Sequence, residues 1–164
     1  MEVILQLKEG SVYVISGYAP HQGSDDLEKL VFLNSLEDLL SKTIRNDLVL
    51  VGGDLNAHLS KDRRSYEKVW GPHGLGIKND EGEALLEFCL RNKMCAANTW
   101  FGKLENHKIT YSSGEAKSQI DFMLVRKQDM RKMLDCKAIP SEVVAPQRKP
   151  VVATFRIKGW QERN

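Results

Sequence analysis

Hydrophobic and polar positions alternate at the start of the chain and then change period. Val3 to Leu7 and Ser11 to Tyr18 are alternating and β-rich, with a turn at Glu9-Gly10, which predicts a hairpin. Ala19-Pro20 ends its second strand, because proline cannot donate to a ladder. From Asp25 to about Ile44 the period becomes helical. Leu27, Leu30, Val31, Leu36, Leu39 and Leu40 return on one face, and Asp25 with Glu28 makes a capping-box pattern. The run Leu48-Val49-Leu50-Val51-Gly52-Gly53-Asp54 shows no alternation and predicts a buried central strand. Residues 58–79 are polar and form a long loop, and a second helix is expected from Asp80 to about Asn92 with Asp80 and Glu83 as its cap pair.

Strands then return at short spacing. They are expected at Cys95–Thr99, His107–Ser112, Gln119–Val125, Cys136–Ile139 and Pro150–Ile157, with a short helix at Gln128–Leu134. Strands, helix, strands, helix, strands predicts an α/β (α+β) sandwich of mixed β-sheets flanked by helices, not a regular βαβ winding. Residues 1–158 read as one domain and 159–164 as a C-terminal tail.

Composition changes this picture little. Hydrophobic residues are 41% and charged residues 28% of the 164, the balance of a folded domain rather than a disordered chain. A net charge of +2 does not mark a polyanion binder by bulk electrostatics. Basic residues cluster locally, however, at Lys61, Arg63 and Arg64, at Arg126, Lys127, Arg131 and Lys132, and at Arg148 and Lys149. Such clusters read either as solvated surface or as phosphate contacts. Three cysteines without CxxC spacing argue against a disulfide framework and for a reducing, intracellular setting, nuclear or cytoplasmic. No apolar run reaches the length of a membrane span.

The string richest in chemistry is Gly52-Gly53-Asp54-Leu55-Asn56-Ala57-His58. Asp54 and Asn56 are two residues apart and share one side of an extended strand end. A carboxylate can take a proton from water and a nearby amide can hold a phosphate oxygen; a plain Asx-rich turn is the competing reading. Asp121 stands inside the apolar run Gln119 to Val125, where a carboxylate needs a partner. Tyr18 sits at a strand exit, where its hydroxyl could touch phosphate or simply pack. His58 and His73 lack a third ligand at zinc spacing.

Taken in order, Tyr18-Ala19-Pro20, Gly53-Asp54-Leu55-Asn56, Thr110-Tyr111-Ser112 and Gln119-Ile120-Asp121-Phe122 resemble the endonuclease/exonuclease/phosphatase family of apurinic endonucleases and related phosphodiesterases. The strings Gly71-Pro72-His73-Gly74 and Asn98-Thr99-Trp100-Phe101 look like its RTE branch of non-LTR retrotransposons and that branch's domesticated craniofacial development protein 2-like relatives. The resemblance implies a four-layer fold, here incomplete, and metal-dependent cutting of DNA. By the same resemblance, Asp54 activates water, Asn56 and Tyr18 hold the phosphate, His58 faces the site, and Asp121 orients a histidine. Mg2+ or Mn2+ is the implied cofactor.

Two departures are visible. Arg148 stands where the family's closing histidine belongs, with Gln147 at the position of a possible acidic ligand. Arginine binds phosphate but cannot trade protons. The family's opening segment, with its metal-binding asparagine and glutamate, is not matched, so metal binding is expected to be weak. Turnover should be low, and a domesticated, non-catalytic module that binds protein or nucleic acid is the alternative. Uncovered sheet surface is expected to require self-association or a protein partner.

Overall fold

The computed structural model describes residues 1–8 and 10–157. The tail expected at 159–164 lies outside the described residues. A five-stranded sheet forms the middle, in the order β1 (Glu2–Leu7), β2 (Gly10–Tyr18), β3 (Leu48–Asp54), β7 (Asp121–Arg126), β4 (Met94–Ala96). β2 and β3 run parallel, joined through helix α1 (Asp26–Ser41); every other pair is antiparallel.

The alternation of side chains sorts this sheet into two faces. Ile15, Val49, Val51, Phe122 and Leu124 face the helices and pack with Leu36 and Leu40 of α1 and with Leu85, Leu86 and Phe88 of α2 (Asp80–Asn92). Val12, Leu48, Leu50, Met123 and Val125 face a hairpin of β8 (Met133–Ala138) and β9 (Val151–Phe155), meeting Met133, Cys136 and Ala153. β3 is therefore covered on both sides, as its continuous apolar run requires. A small hairpin, β5 (Tyr111–Ser113) and β6 (Ala116–Ser118), stands at the sheet's edge.

Several boundaries differ from the sequence expectations. α1 ends at Ser41, and Asp25 caps it by accepting from the Leu27 N–H at 3.0 Å. α2 is capped by Asn79, not by Asp80; its Oδ1 accepts from both Gly82 N and His58 N, tying the chain after β3 to the helix start. The helix expected at 128–134 is a 3-10 turn, Lys127–Lys132, and Ala97–Trp100 is another 3-10 turn where a strand was expected to continue. The expected strand at 107–112 starts only at Tyr111, after a 3-10 turn at Glu105–His107.

The apolar face of α1 is also narrower than its sequence suggests. Leu36, Leu40, Phe32 and Leu33 face the sheet, whereas Leu27, Leu30 and Val31 are exposed. Val3, Ile4 and Leu5 of edge strand β1 are exposed as well.

Candidate active site

The candidate site is a single row across three strands. Tyr18 lies opposite Asp54, and Asp54 opposite Asp121, so the three residues share the face covered by β8 and β9. Gly53 permits the row. Its φ is +147°, and a Cβ there would lie 1.9 Å from the Gly17 carbonyl oxygen, so only glycine lets β2 and β3 approach. Beyond the row the chain is stitched by Ala19 N donating to Asp54 O at 2.8 Å and Leu55 N to Ile120 O at 2.9 Å.

Asp54 is buried and Asp121 nearly so. One oxygen of Asp54 accepts from Asn56 N at 2.9 Å. The other accepts from Arg148 Nη2, and Arg148 Nη1 reaches both oxygens of Asp121 at 3.2 and 3.3 Å. One guanidinium thus bridges the two carboxylates. Burial raises the Asp121 carboxyl above its ordinary range; Thr110 and Arg148 oppose that shift and the charge of Asp54 adds to it. Burial alone would lower the Arg148 pKa, yet hydrogen bonds and charge from Asp54 and Asp121 hold it above its ordinary value.

The bridge is held in place from behind. The backbone around Arg148 pairs with β5: Ser112 N donates to Gln147 O and Lys149 N to Thr110 O, both at 2.9 Å. The guanidinium carbon lies 5.0 Å from the centre of the Tyr111 ring, within cation–π range. The Tyr111 hydroxyl donates to Gln147 Oε1 at 3.1 Å, and Gln147 Nε2 donates to Ser113 Oγ at 3.2 Å. Both ends of the Gln147 amide are therefore occupied away from the carboxylates. Thr110 Oγ1 accepts from Ile120 N and Asp121 N at 3.1 Å. Asn98 is buried, donates to Asp121 O at 3.1 Å and accepts from Met123 N at 2.8 Å.

The other expected residues fall nearby. Asn56 takes a left-handed φ of 48° and its Nδ2 donates to Ala19 O at 2.7 Å, leaving its second N–H for a ligand. His58 shares with Asn56, His21 and Tyr111 a cavity of about 540 Å³ beside the row. Tyr18 is 72% exposed, so its hydroxyl sits at the open end of the row and is not core packing. Thr110, Tyr111 and Asn98 were given no chemical role from sequence, although Thr110-Tyr111 and Asn98 each stand in a motif string.

These residues do not fit a resident divalent ion. Among the described residues, no group of three or more His, Cys, Asp or Glu side chains converges. The two carboxylates that do converge are satisfied by Arg148. A hard cation asks for several oxygen ligands.

A family model described as "Endonuclease-reverse transcriptase" matches residues 12–143. Among curated proteins, craniofacial development protein 2 of Bos taurus is 29% identical over 160 residues, covering 96% of this chain and 27% of the relative. The same protein of Tragulus javanicus is 29% identical over 155 residues, covering 93% and 27%. The chain thus spans about a quarter of the length of these relatives. Three solved structures share the fold. The endonuclease domain of TRAS1, a telomere-specific non-LTR retrotransposon, superposes with a TM-score of 0.70 at 12% identity, covering 94% of this chain and 60% of that one. The catalytic domain of Xenopus laevis APE2 gives 0.66 at 18%, covering 94% and 54%. The 3' phosphatase NExo from Neisseria, bound to a product DNA hairpin, gives 0.64 at 15%, covering 95% and 65%.

Proposed function

Because the chain belongs to the endonuclease–reverse transcriptase family, we propose that its Asp54 row is a DNA phosphodiester site whose hydrolytic turnover is impaired. The observation that carries this reading is the guanidinium of Arg148 bridging Asp54 and Asp121. Hydrolysis needs a base for the attacking water and an acid for the leaving oxygen. Each oxygen of Asp54 already accepts one hydrogen bond, and the guanidinium holds the side facing Asp121, so an attacking water competes with Arg148 for the carboxylate. Arg148 stays protonated and supplies no acid. General acid–base help is worth roughly 10²–10⁴-fold in rate, and that is the scale of the loss.

Phosphate recognition is retained in part. Asn56 next to the row, the exposed Tyr18 at its end and the guanidinium of Arg148 are the donors that would meet a phosphate. Two carboxylates against one guanidinium leave the row one negative charge, so a phosphodiester must displace a carboxylate or arrive with a cation. A divalent cation held by the phosphate itself would supply that missing positive charge. DNA as partner is supported by the fold shared with a phosphatase bound to a DNA hairpin.

The test is plasmid nicking in Mg2+ or Mn2+ by the natural chain, Asp54→Ala, Arg148→His and the double variant. Little nicking is expected from the natural chain, a gain of at least tenfold from Arg148→His, and its loss in the double variant. Strong metal-dependent nicking by the natural chain, abolished by Asp54→Ala, overturns the impairment.

The same bridge favours the second reading, a domesticated module that binds DNA or protein without cutting. The uncovered apolar residues of β1 and α1 support self-association or a protein partner. Sedimentation of a stable monomer that melts cooperatively would count against that part.

A further inference from the structure

We propose that the opposite end of the central sheet is a second anion surface, built to hold the sugar–phosphate backbone of a nucleic acid remote from the Asp54 row. β3 enters the sheet at Leu48 and leaves it at Asp54, so the two ends are roughly 20 Å apart at about 3.3 Å per residue.

Two grooves of about 640 and 480 Å³ meet at that end and share Arg45 and Gln128. Lys93 and Arg126 line one, Arg131 and Lys132 the other. A third cavity of about 470 Å³ adjoins them at Arg131 and Lys132 and reaches Arg156, but its floor is apolar, with Leu7, Val12, Leu48 and Ile157, so it is not part of the anion surface. The cations at this end come from five places in the sequence: the turn before β3, the cap of α2, the end of β7, the 127–132 turn and the residue after β9. Only the fold gathers them.

The acids at this end are buried. Asp47 accepts from Ser11 N at 3.3 Å and Ile44 N at 2.9 Å. Asp129 is 2% exposed; one of its oxygens pairs with Lys132 at 2.7 Å and the other is buried without a hydrogen-bond partner. Arg126 serves the frame, donating to the carbonyl oxygens of Ile44 and Asp47 and to Thr43 Oγ1. Arg45, Lys93 and Arg131 are exposed, and among the described residues none of them makes an ion pair.

The lining identifies the partner's chemistry. The two shared grooves contain arginine, lysine, glutamine, asparagine and one paired aspartate, with no aromatic or aliphatic residue. A protein partner is anchored by large apolar or aromatic side chains seated in pockets, and these grooves offer it none. A phosphate backbone needs only fixed donors and positive charge, which they supply. Contacts to phosphate carry no base information, so binding is independent of sequence and sensitive to salt.

The experiment is fluorescence anisotropy of a labelled 20-base-pair duplex, titrated across NaCl concentrations in EDTA so that no cutting occurs. Three chains are compared: the natural one, Arg45→Gln/Lys93→Gln/Arg131→Gln, and the charge-matched control Lys61→Gln/Lys68→Gln/Lys108→Gln. All three variant positions in the first set are exposed, and thermal melting verifies that the fold is kept. The first set should weaken binding roughly tenfold or more and lower the log–log salt slope by about 2.7, at about 0.9 per phosphate contact. Arg131→Gln alone should lower it by about 0.9. Unchanged affinity and slope, or an equal loss in the control, overturns the proposal. So does a loss of polyglutamate binding with duplex binding intact, which would assign the surface to an acidic protein.

Discussion

β3 is flanked by a buried aspartate at each end, and the two are held by different means. Asp47, just before the strand, gives its oxygens to backbone N–H groups of Ser11 and Ile44. Asp54, at its end, takes one backbone N–H and the side chain of a residue 94 positions away. Backbone donors can neither leave nor be exchanged for a ligand, so Asp47 is a structural clip. A guanidinium on a loop can move aside, so Asp54 keeps the capacity to meet something else. Buried carboxylates at two ends of one strand therefore separate into frame and site by the mobility of their donors, not by depth.

The largest test of that contrast is Arg148→Met. It leaves two facing carboxylates without their shared cation and should cost about 3–4 kcal/mol at neutral pH, read by urea unfolding. The deficit should shrink as pH falls. The Asp121 carboxyl is already held above its ordinary value of 3.8, mainly by burial. The folded chain therefore keeps a proton that the unfolded chain has released, and stability falls as pH rises from near 3.8 through the folded pKa. The natural chain should show the same sign with a smaller amplitude.

Asp47→Ala should come next, at about 2–3 kcal/mol, because two backbone donors lose their acceptor. It is read by the same urea unfolding at neutral pH; a deficit below about 1 kcal/mol would remove Asp47's part as a structural clip. Thr110→Val should cost about 1–2 kcal/mol by stranding Ile120 N and Asp121 N, and should push the Asp121 carboxyl higher, measured by NMR titration. Smallest is Tyr111→Leu. Losing its ring contact with Arg148 should cost about 0.5–1 kcal/mol in a melt, with a lower affinity for inorganic phosphate if the ring positions the guanidinium.

How much of this the sequence disclosed follows the same division. Asp54 and Asp121 could be singled out because one ends and the other interrupts an apolar strand; the period of two does not carry Asn56, whose left-handed φ of 48° takes it off the strand and whose N–H meets Asp54 in an Asx turn. Arg148 could be singled out from sequence too. Its bridge could not, since it depends on residues 147–149 pairing with β5, a contact between short irregular segments that no periodicity marks. Asp47 looked like the polar close of a helix. The buried side of α1 was misjudged because two apolar stripes run along it and only the one containing Leu36 and Leu40 meets the sheet. Of the cations at the far end, Arg126, Arg131 and Lys132 were seen as one cluster and Arg45, Lys93 and Arg156 were not marked, because their convergence is a property of topology.

Gly53 has a consequence of its own. With a backbone carbonyl 1.9 Å from where any Cβ would stand, position 53 admits no methyl group without prying two parallel strands apart. In a library randomised at that codon, folded clones should return glycine alone. The spacing between a tyrosine and an aspartate thus hangs on an atom the chain does without.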